Sequence, residues 1–236
     1  MNFHVVTLFP EVVDAYTHAS ILGRAQEEKI FSVTTYQLRD FVTNKWGKAD
    51  ERPYGGGPGM VLQAEPVVGA VESICKKIQP AVGEKPKLKI LLASAGGKPL
   101  TNTYARSLAK QDEVIIVCGR YEGIDARVKK ILSAKGGIIP DIKVSVEEIS
   151  IGPYILTGGE IPALAIIDAT ARQIPGVLGT FESLEESRVA SHDAYTRPEV
   201  IEHAGKKFAV PKVLLSGHHA NIDTFRDKKR SEKQSS

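Results

Sequence analysis

Short apolar runs alternate along the chain with segments of helical apolar spacing. Phe3 to Phe9 reads as a buried strand stopped by Pro10, after which Glu11 and the spacing of Val12, Val13 and Tyr16 predict a helix. Ile30 to Tyr36 reads as a second strand. Pro66 opens a helix whose positions Val67, Val71, Ile74, Cys75 and Ile78 share one face, and Pro80 to Pro86 connects it to a strand at Leu88. Thr101 and Asn102 offer N-caps for a helix through Leu108, and Val114 starts the next strand. Asp125 stands where it can cap a helix bearing Val128, Ile131 and Leu132, which Gly136-Gly137 ends. Ile161 to Arg172 is a helix of small and apolar residues ended by Ile174-Pro-Gly176. Such a helix must be buried in the core or against another subunit. This alternation predicts an α/β fold with a parallel sheet covered on both faces.

Three of the runs end in glycine turns. Val114-Ile-Ile-Val-Cys-Gly-Arg-Tyr-Glu-Gly-Ile-Asp125 is one, Leu88 to Ala93 runs into Ser94-Ala-Gly-Gly-Lys98, and an Ile- and Val-rich region ends in Ser150-Ile-Gly-Pro-Tyr-Ile-Leu-Thr-Gly-Gly-Glu160. Ligands of α/β proteins collect outside the carboxyl ends of the strands. If these strands are neighbours, their turns build a site largely from backbone groups; the alternative is that the glycines simply end strands. The stretch from Leu38 to Met60 is a long polar loop, with four glycines and two prolines in Asp50 to Met60. A loop this long is functional or disordered, and its Arg, Asp, Tyr and Trp46 favour function. Thr180 to Ala194 is rich in Glu and Ser, has no helical period and reads as a mobile linker. Tyr195-Thr-Arg-Pro198 then begins a C-terminal unit too short to hold much core, one expected to lean on the main domain or a partner chain.

Composition narrows the chemistry. With 236 residues and 42% hydrophobic content, the chain is one large domain or a domain with a small appendage. No apolar run reaches the length of a membrane span and Met1-Asn-Phe-His-Val-Val lacks the features of an export signal, so a soluble cytoplasmic protein is expected. Cys75 and Cys118 read as buried free thiols, and neither has metal-ligand spacing around it. The net charge of +3 is too small to establish a nucleic-acid partner, and a solvated tail explains the five basic and two acidic residues of Arg226 to Ser236 equally well. There is no dinucleotide fingerprint after the first strand, no phosphate loop and no nucleophile elbow. A neutral or cationic nucleoside-like ligand held by backbone groups fits better than a polyphosphate.

Cys118 to Asp125, Ser150 to Glu160, Arg52 to Met60, Ile174 to Gly179 and Tyr195 to Val200 together resemble the bacterial tRNA (guanine-N1)-methyltransferases of the SPOUT class, the TrmD family. The likeness runs in order from Phe9-Pro-Glu11 to Ser216-Gly-His218. Each motif alone is weak, and five in register are specific. The resemblance implies a parallel-sheet SPOUT (α/β knot) catalytic domain with a deep trefoil knot over residues 1–179. It further implies an interdomain linker over 180–196 and a small, mainly helical tRNA-binding domain over 197–236. It implies a homodimer with a composite active site, and S-adenosylmethionine held by Leu92, Ala93, Ser94, Gly119, Tyr121, Glu122, Ile151, Gly152, Tyr154, Leu156, Gly158 and Gly159. Asp50, Arg52, Tyr54, Gly57, Pro58 and Gly59 would lie near the guanine at position 37 of the tRNA anticodon stem-loop, preceded by a guanine at position 36. Mg2+ is raised as a second requirement.

Guanine N1 carries a proton and needs a general base before it can accept a methyl group, and an Arg can offset charge developing on O6. By resemblance the Arg is Arg172 and the base lies in the acidic linker of the other subunit. Here the chain departs from many relatives, which have an Asp. Ungapped alignment puts Ser187 there, and one deletion puts Glu186 there, so Glu186 is the expected base with Glu185 in reserve. Asn44, Trp46, Ala95-Gly96 and Pro153 also differ from residues common in the family, and the C-terminal unit is short. The alternatives are a non-catalytic RNA-binding SPOUT protein and a SPOUT methyltransferase acting on another RNA.

Overall fold

In the computed structural model, residues 1–78, 86–134, 144–178 and 193–225 are described. The apolar runs become β1 (Asn2–Thr7), β2 (Ser32–Gln37), β5 (Leu88–Pro99), β6 (Glu113–Val117) and β7 (Val144–Ser150), and two short strands, β3 (Asp50–Glu51) and β4 (Val61–Leu62), lie between β2 and β5 in the chain. The five longer strands form one sheet in the order β2-β1-β6-β5-β7, with every pair parallel. The helices are α1 (Pro10–Thr17), α2 (Ser20–Glu27), α3 (Ala64–Lys77), α4 (Asn102–Leu108), α5 (Arg127–Leu132) and α6 (Glu160–Ala171).

Both faces of the sheet are covered, which is why its strands read as continuous apolar runs rather than alternating ones. Phe3, Val5, Leu91, Val114 and Ile116 pack in one core with Val13 of α1, Leu22 of α2, Leu108 of α4 and Ile166 and Ile167 of α6. Val6, Ile90, Leu92, Ile115 and Val117 pack in the other with Val67, Val71 and Ile74 of α3 and Val128 and Leu132 of α5. Adjacent strand residues thus face opposite cores.

Local structure differs from the sequence expectation in four places. The segment after Pro10 is two helices, α1 and α2, and α2 had no predicted counterpart. Helix α3 begins at Ala64, so Pro66 lies within its first turn, where a missing N–H costs nothing. Thr101 accepts the Tyr104 N–H as expected, whereas Asp125 accepts the Arg127 N–H from just outside α5. Strand β5 does not stop at Ala93: Ala93 and Lys98 both stand opposite Ile149, and the residues between them bulge from the ladder. Gly97 makes this possible, since a Cβ there would lie 2.5 Å from the Ile149 backbone nitrogen.

The chain divides into compact units Met1–Gly179 and Thr180–Ser236. The second contains a hairpin of β8 (Val200–His203) and β9 (Lys206–Ala209), then α7 (Lys212–Leu215) and helical residues 219–225. Its described residues contain both helix and strand. Ala204 and Gly205 both have positive φ (50° and 74°), the two-residue hairpin geometry that matches strand twist. No described residue of this unit is buried. The predicted connector residues 79–85, Gly136-Gly137, linker residues 180–192 and the basic tail from Arg226 lie outside the described residues.

Candidate active site

Because β6, β5 and β7 are neighbours, the turns that follow them meet. They enclose a cavity of about 390 Å³. All twelve residues expected at the cofactor line it: Leu92, Ala93 and Ser94 from β5 and its bulge; Gly119, Tyr121 and Glu122 after β6; Ile151, Gly152, Tyr154, Leu156, Gly158 and Gly159 between β7 and α6. The walls touch through backbone. Gly159 N–H donates to the Gly119 carbonyl at 2.8 Å, and Arg120 and Gly158 form an isolated antiparallel bridge. A Cβ on Gly159 would stand 2.6 Å from Cys118 Cα, so only glycine permits this approach. Tyr121 is held at φ 56°, a conformation that costs a non-glycine residue energy and marks a turn fixed by its surroundings.

Behind the cavity lies a charged cluster. Glu160, 4% exposed at the start of α6, accepts a 2.7 Å hydrogen bond from Thr7 Oγ1 on one oxygen and pairs with Arg120 Nη2 at 3.3 Å through the other. The Arg120 guanidinium also lies over the Phe9 ring, 4.2 Å from its centroid, and its Nε is buried with no hydrogen-bond partner among the described residues. A buried carboxylate is tolerable only when paired and hydrogen-bonded in this way. Burial pushes the neighbouring Cys118 thiol well up and the Glu160 charge adds to this, against smaller opposing effects of Thr7 and Arg120. Sequence reasoning gave this cluster no role. The available signal was Glu160 itself, an acidic residue opening a helix too apolar to be solvated.

The glycine-rich loop is joined to the cavity wall. β3 pairs antiparallel with β4, and Leu62 N–H donates to Gly123 O while Asp125 N–H donates to Leu62 O, each at 3.0 Å. Glu122 N–H donates to Met60 O at 3.0 Å, and the Glu122 carboxylate stands against Gly59, where a Cβ would meet Oε1 at 2.5 Å. Asp125 is fixed by Arg127, whose side-chain hydrogen bonds hold its carboxyl below the usual range. Of the residues expected at the substrate, Asp50 lies in β3 and Gly59 abuts the wall, Tyr54 is fully exposed, and none of Asp50, Arg52, Tyr54, Gly57, Pro58 and Gly59 lines the cavity itself.

The family profile described as tRNA (Guanine-1)-methyltransferase TrmD matches residues 1–236. The chain belongs to this TrmD family. Among its curated relatives, a tRNA (guanine-N(1)-)-methyltransferase of Desulforamulus reducens is 41% identical over 230 residues, covering 96% of this chain and 82% of that protein. One from Clostridium perfringens is 41% identical over 232 residues, covering 97% and 87%, and one from Citrifermentans bemidjiense is 38% identical over 234, covering 98% and 85%.

Two further features bear on how a TrmD-family site is assembled here. Arg172 lies at the C-cap of α6, whose N-terminus is at the cavity. Twelve helical residues span about 18 Å, so this fold keeps Arg172 away from its own chain's cavity. Glu185, Glu186 and Ser187 lie outside the described residues. Among the described residues, no three or more His, Cys, Asp or Glu side chains are grouped to hold a metal ion, and no helix is long and apolar enough to cross a membrane.

Proposed function

We propose that this TrmD-family chain transfers a methyl group from S-adenosylmethionine to N1 of the guanine next to the anticodon of tRNA. The observation that carries this reading is the convergence of three glycine turns on one cavity, with the Asp50 to Met60 loop joined to its rim. The cavity volume suits a nucleoside-sized ligand. Leu92, Ile124, Ile151 and Leu156 offer apolar wall to a base, and the Glu122 carboxylate, without a hydrogen-bond or ion-pair partner among the described residues, offers counter-charge to a cationic ligand. The residues present therefore fit the cofactor, which supplies a methyl group activated on a sulfonium.

The chain's own groups account for the rest. The Arg120–Glu160–Thr7 cluster holds the turn after β6 against the start of α6, fixing the wall on which the cofactor rests. The Asp50 to Met60 loop holds the extruded guanine, since a base is reached only when taken out of its stack. Glu186, with Glu185 in reserve, accepts the N1 proton, and the Arg172 guanidinium offsets the charge left on O6.

The active unit is a homodimer. Arg172 stands about 15 Å along α6 from Pro162, the last α6 residue lining its own cavity, and so serves its partner's. Val12, Tyr16, Ile21 and Ile161, each at least 40% exposed on α1, α2 and α6, offer the apolar face for this pairing. The catalytic domain over 1–179 is knotted, as the family resemblance implies, with 180–196 as linker and 197–236 as the tRNA-binding unit. The test is methyl transfer from labelled S-adenosylmethionine to a tRNA transcript with guanines at positions 36 and 37. Transfer by wild type, lost in Glu186→Gln with cofactor binding retained, is expected. A wild type that binds cofactor and tRNA yet transfers nothing would turn the reading to a non-catalytic RNA-binding protein.

A further inference from the structure

The single tryptophan of the chain, Trp46, is 70% exposed. An indole left in water forgoes a large gain from burial, so its position asks for a reason. It does not hang on a slack loop. Asn44 Oδ1 accepts from the N–H groups of Trp46 and Lys48 at 3.2 Å each, Asn44 Nδ2 donates to Lys48 O at 2.6 Å, and Gly47 N–H donates to Asn44 O at 3.1 Å. Gly47 takes the left-handed conformation, φ 65°, that closes the turn.

The turn is anchored on both sides. Val42 packs against the core before it, and after it Ala49 is fully buried and its carbonyl accepts the Gln63 N–H at 2.9 Å. Gln63 follows Leu62, which is bonded to Gly123 on the cavity wall. Three residues of extended chain and two strand spacings therefore bound the separation of Trp46 from that wall at roughly 20 Å.

The turn that carries it is cationic. Lys45 Nζ lies 4.3 Å from the Trp46 ring centroid, Lys48 is exposed two residues on, and Thr43 to Lys48 contains no carboxylate and no other apolar side chain larger than a methyl group. A protein-binding hot spot would set the aromatic among other apolar side chains at the centre of a packed patch. A lone aromatic plane flanked by ammonium groups is instead the arrangement that receives a base by stacking and its phosphates by charge. We propose that Trp46 is a stacking platform for an unpaired base of the bound tRNA, with Lys45 and Lys48 on the adjoining phosphates. This rests on the reading that the chain acts on tRNA, and adds to it a contact outside the cavity.

Because Trp46 is the sole tryptophan, its fluorescence reports the contact directly. Titration of the full-length protein with an anticodon stem-loop RNA should quench it, while S-adenosylmethionine alone or a fully paired duplex should not. In steady-state methyl transfer, Trp46→Ala should raise KM for tRNA about tenfold, the scale of one base–aromatic stack, while leaving kcat and the cofactor KM near wild type. Trp46→Phe, which keeps an aromatic plane, should recover most of the loss. Methyl transfer with no quenching and an unchanged KM in Trp46→Ala would overturn the platform while leaving the proposed function intact. Quenching by RNA without any methyl transfer would sustain the platform and overturn the proposed function. Quenching by the paired duplex equal to that by the loop would overturn base stacking.

Discussion

The cavity wall and the loop at its rim are both built on glycine, for opposite reasons. At Gly158 and Gly159 the backbone φ is ordinary and a Cβ would collide with neighbouring atoms at 2.6 Å or less. At Gly55, Gly56 and Gly57 nothing lies within 4 Å of a Cβ, but φ is 80° to 114°. Glycine is needed at 158 and 159 because segments touch, and at 55 to 57 because the chain turns left-handed. A Cβ is therefore excluded from the wall by its neighbours and from the loop by its own backbone.

The largest effect should come from the charged cluster behind the wall. Arg120→Met leaves Glu160 buried without its cation and is expected to cost about 3 kcal/mol or more in chemical denaturation, with loss of cofactor binding. Binding and stability close to wild type would mean that the wall does not depend on this pair. Gly159→Ala comes next: overpacking against Cys118 should cost about 1–3 kcal/mol and weaken S-adenosylmethionine binding at least tenfold by calorimetry. Gly56→Ala is its counterpart in the loop. It meets no atom, pays about 1 kcal/mol for a left-handed Ala, and should leave cofactor affinity unchanged while raising KM for tRNA. Equal loss of cofactor affinity in the two variants would erase the distinction.

The two thiols sharpen the contrast in time. Burial pushes Cys75, on α3, up to about 11, with Glu72 adding to it, and burial also pushes Cys118, under the wall, well up. Neither should react with a thiol reagent in native protein, and Cys75 should be modified before Cys118 as denaturant is raised. The smallest effect is on acid stability. Hydrogen bonds from Arg127 hold Asp125 low, and Glu147, which burial raises, is lowered on balance by Lys89 and Tyr104. Depressed carboxylates give their full stabilisation above the unfolded value near pH 4, and lose it as pH falls through their lower folded values. Asp125→Asn should flatten the pH dependence of thermal unfolding below about pH 4 and leave it unchanged at pH 7.

The strands and turns of the site were legible because apolar runs ending in glycine carry their own signal. What the sequence did not carry was pairing across distance. Thr7 and Glu160 are 153 positions apart, and nothing local at either one names the other. Hairpin β8–β9 was missed for a nearer reason: Ala204-Gly205 lacks the Asn-Gly signature, and Val200-Ile201 breaks strict alternation. The β5 bulge was hidden because Ser94-Ala-Gly-Gly reads as a strand end, and only the register with Ile149 reveals that the ladder resumes at Lys98.

The length of α6 has one more consequence. It separates Glu160 from Arg172 within each chain, so in the proposed dimer two differently broken subunits need not make a broken enzyme. A Gly159→Ala chain keeps its arginine, and an Arg172→Ala chain keeps its cavity. Mixed and allowed to exchange, the two inactive proteins would assemble hybrids carrying one sound site each, and activity would return from parts that have none alone.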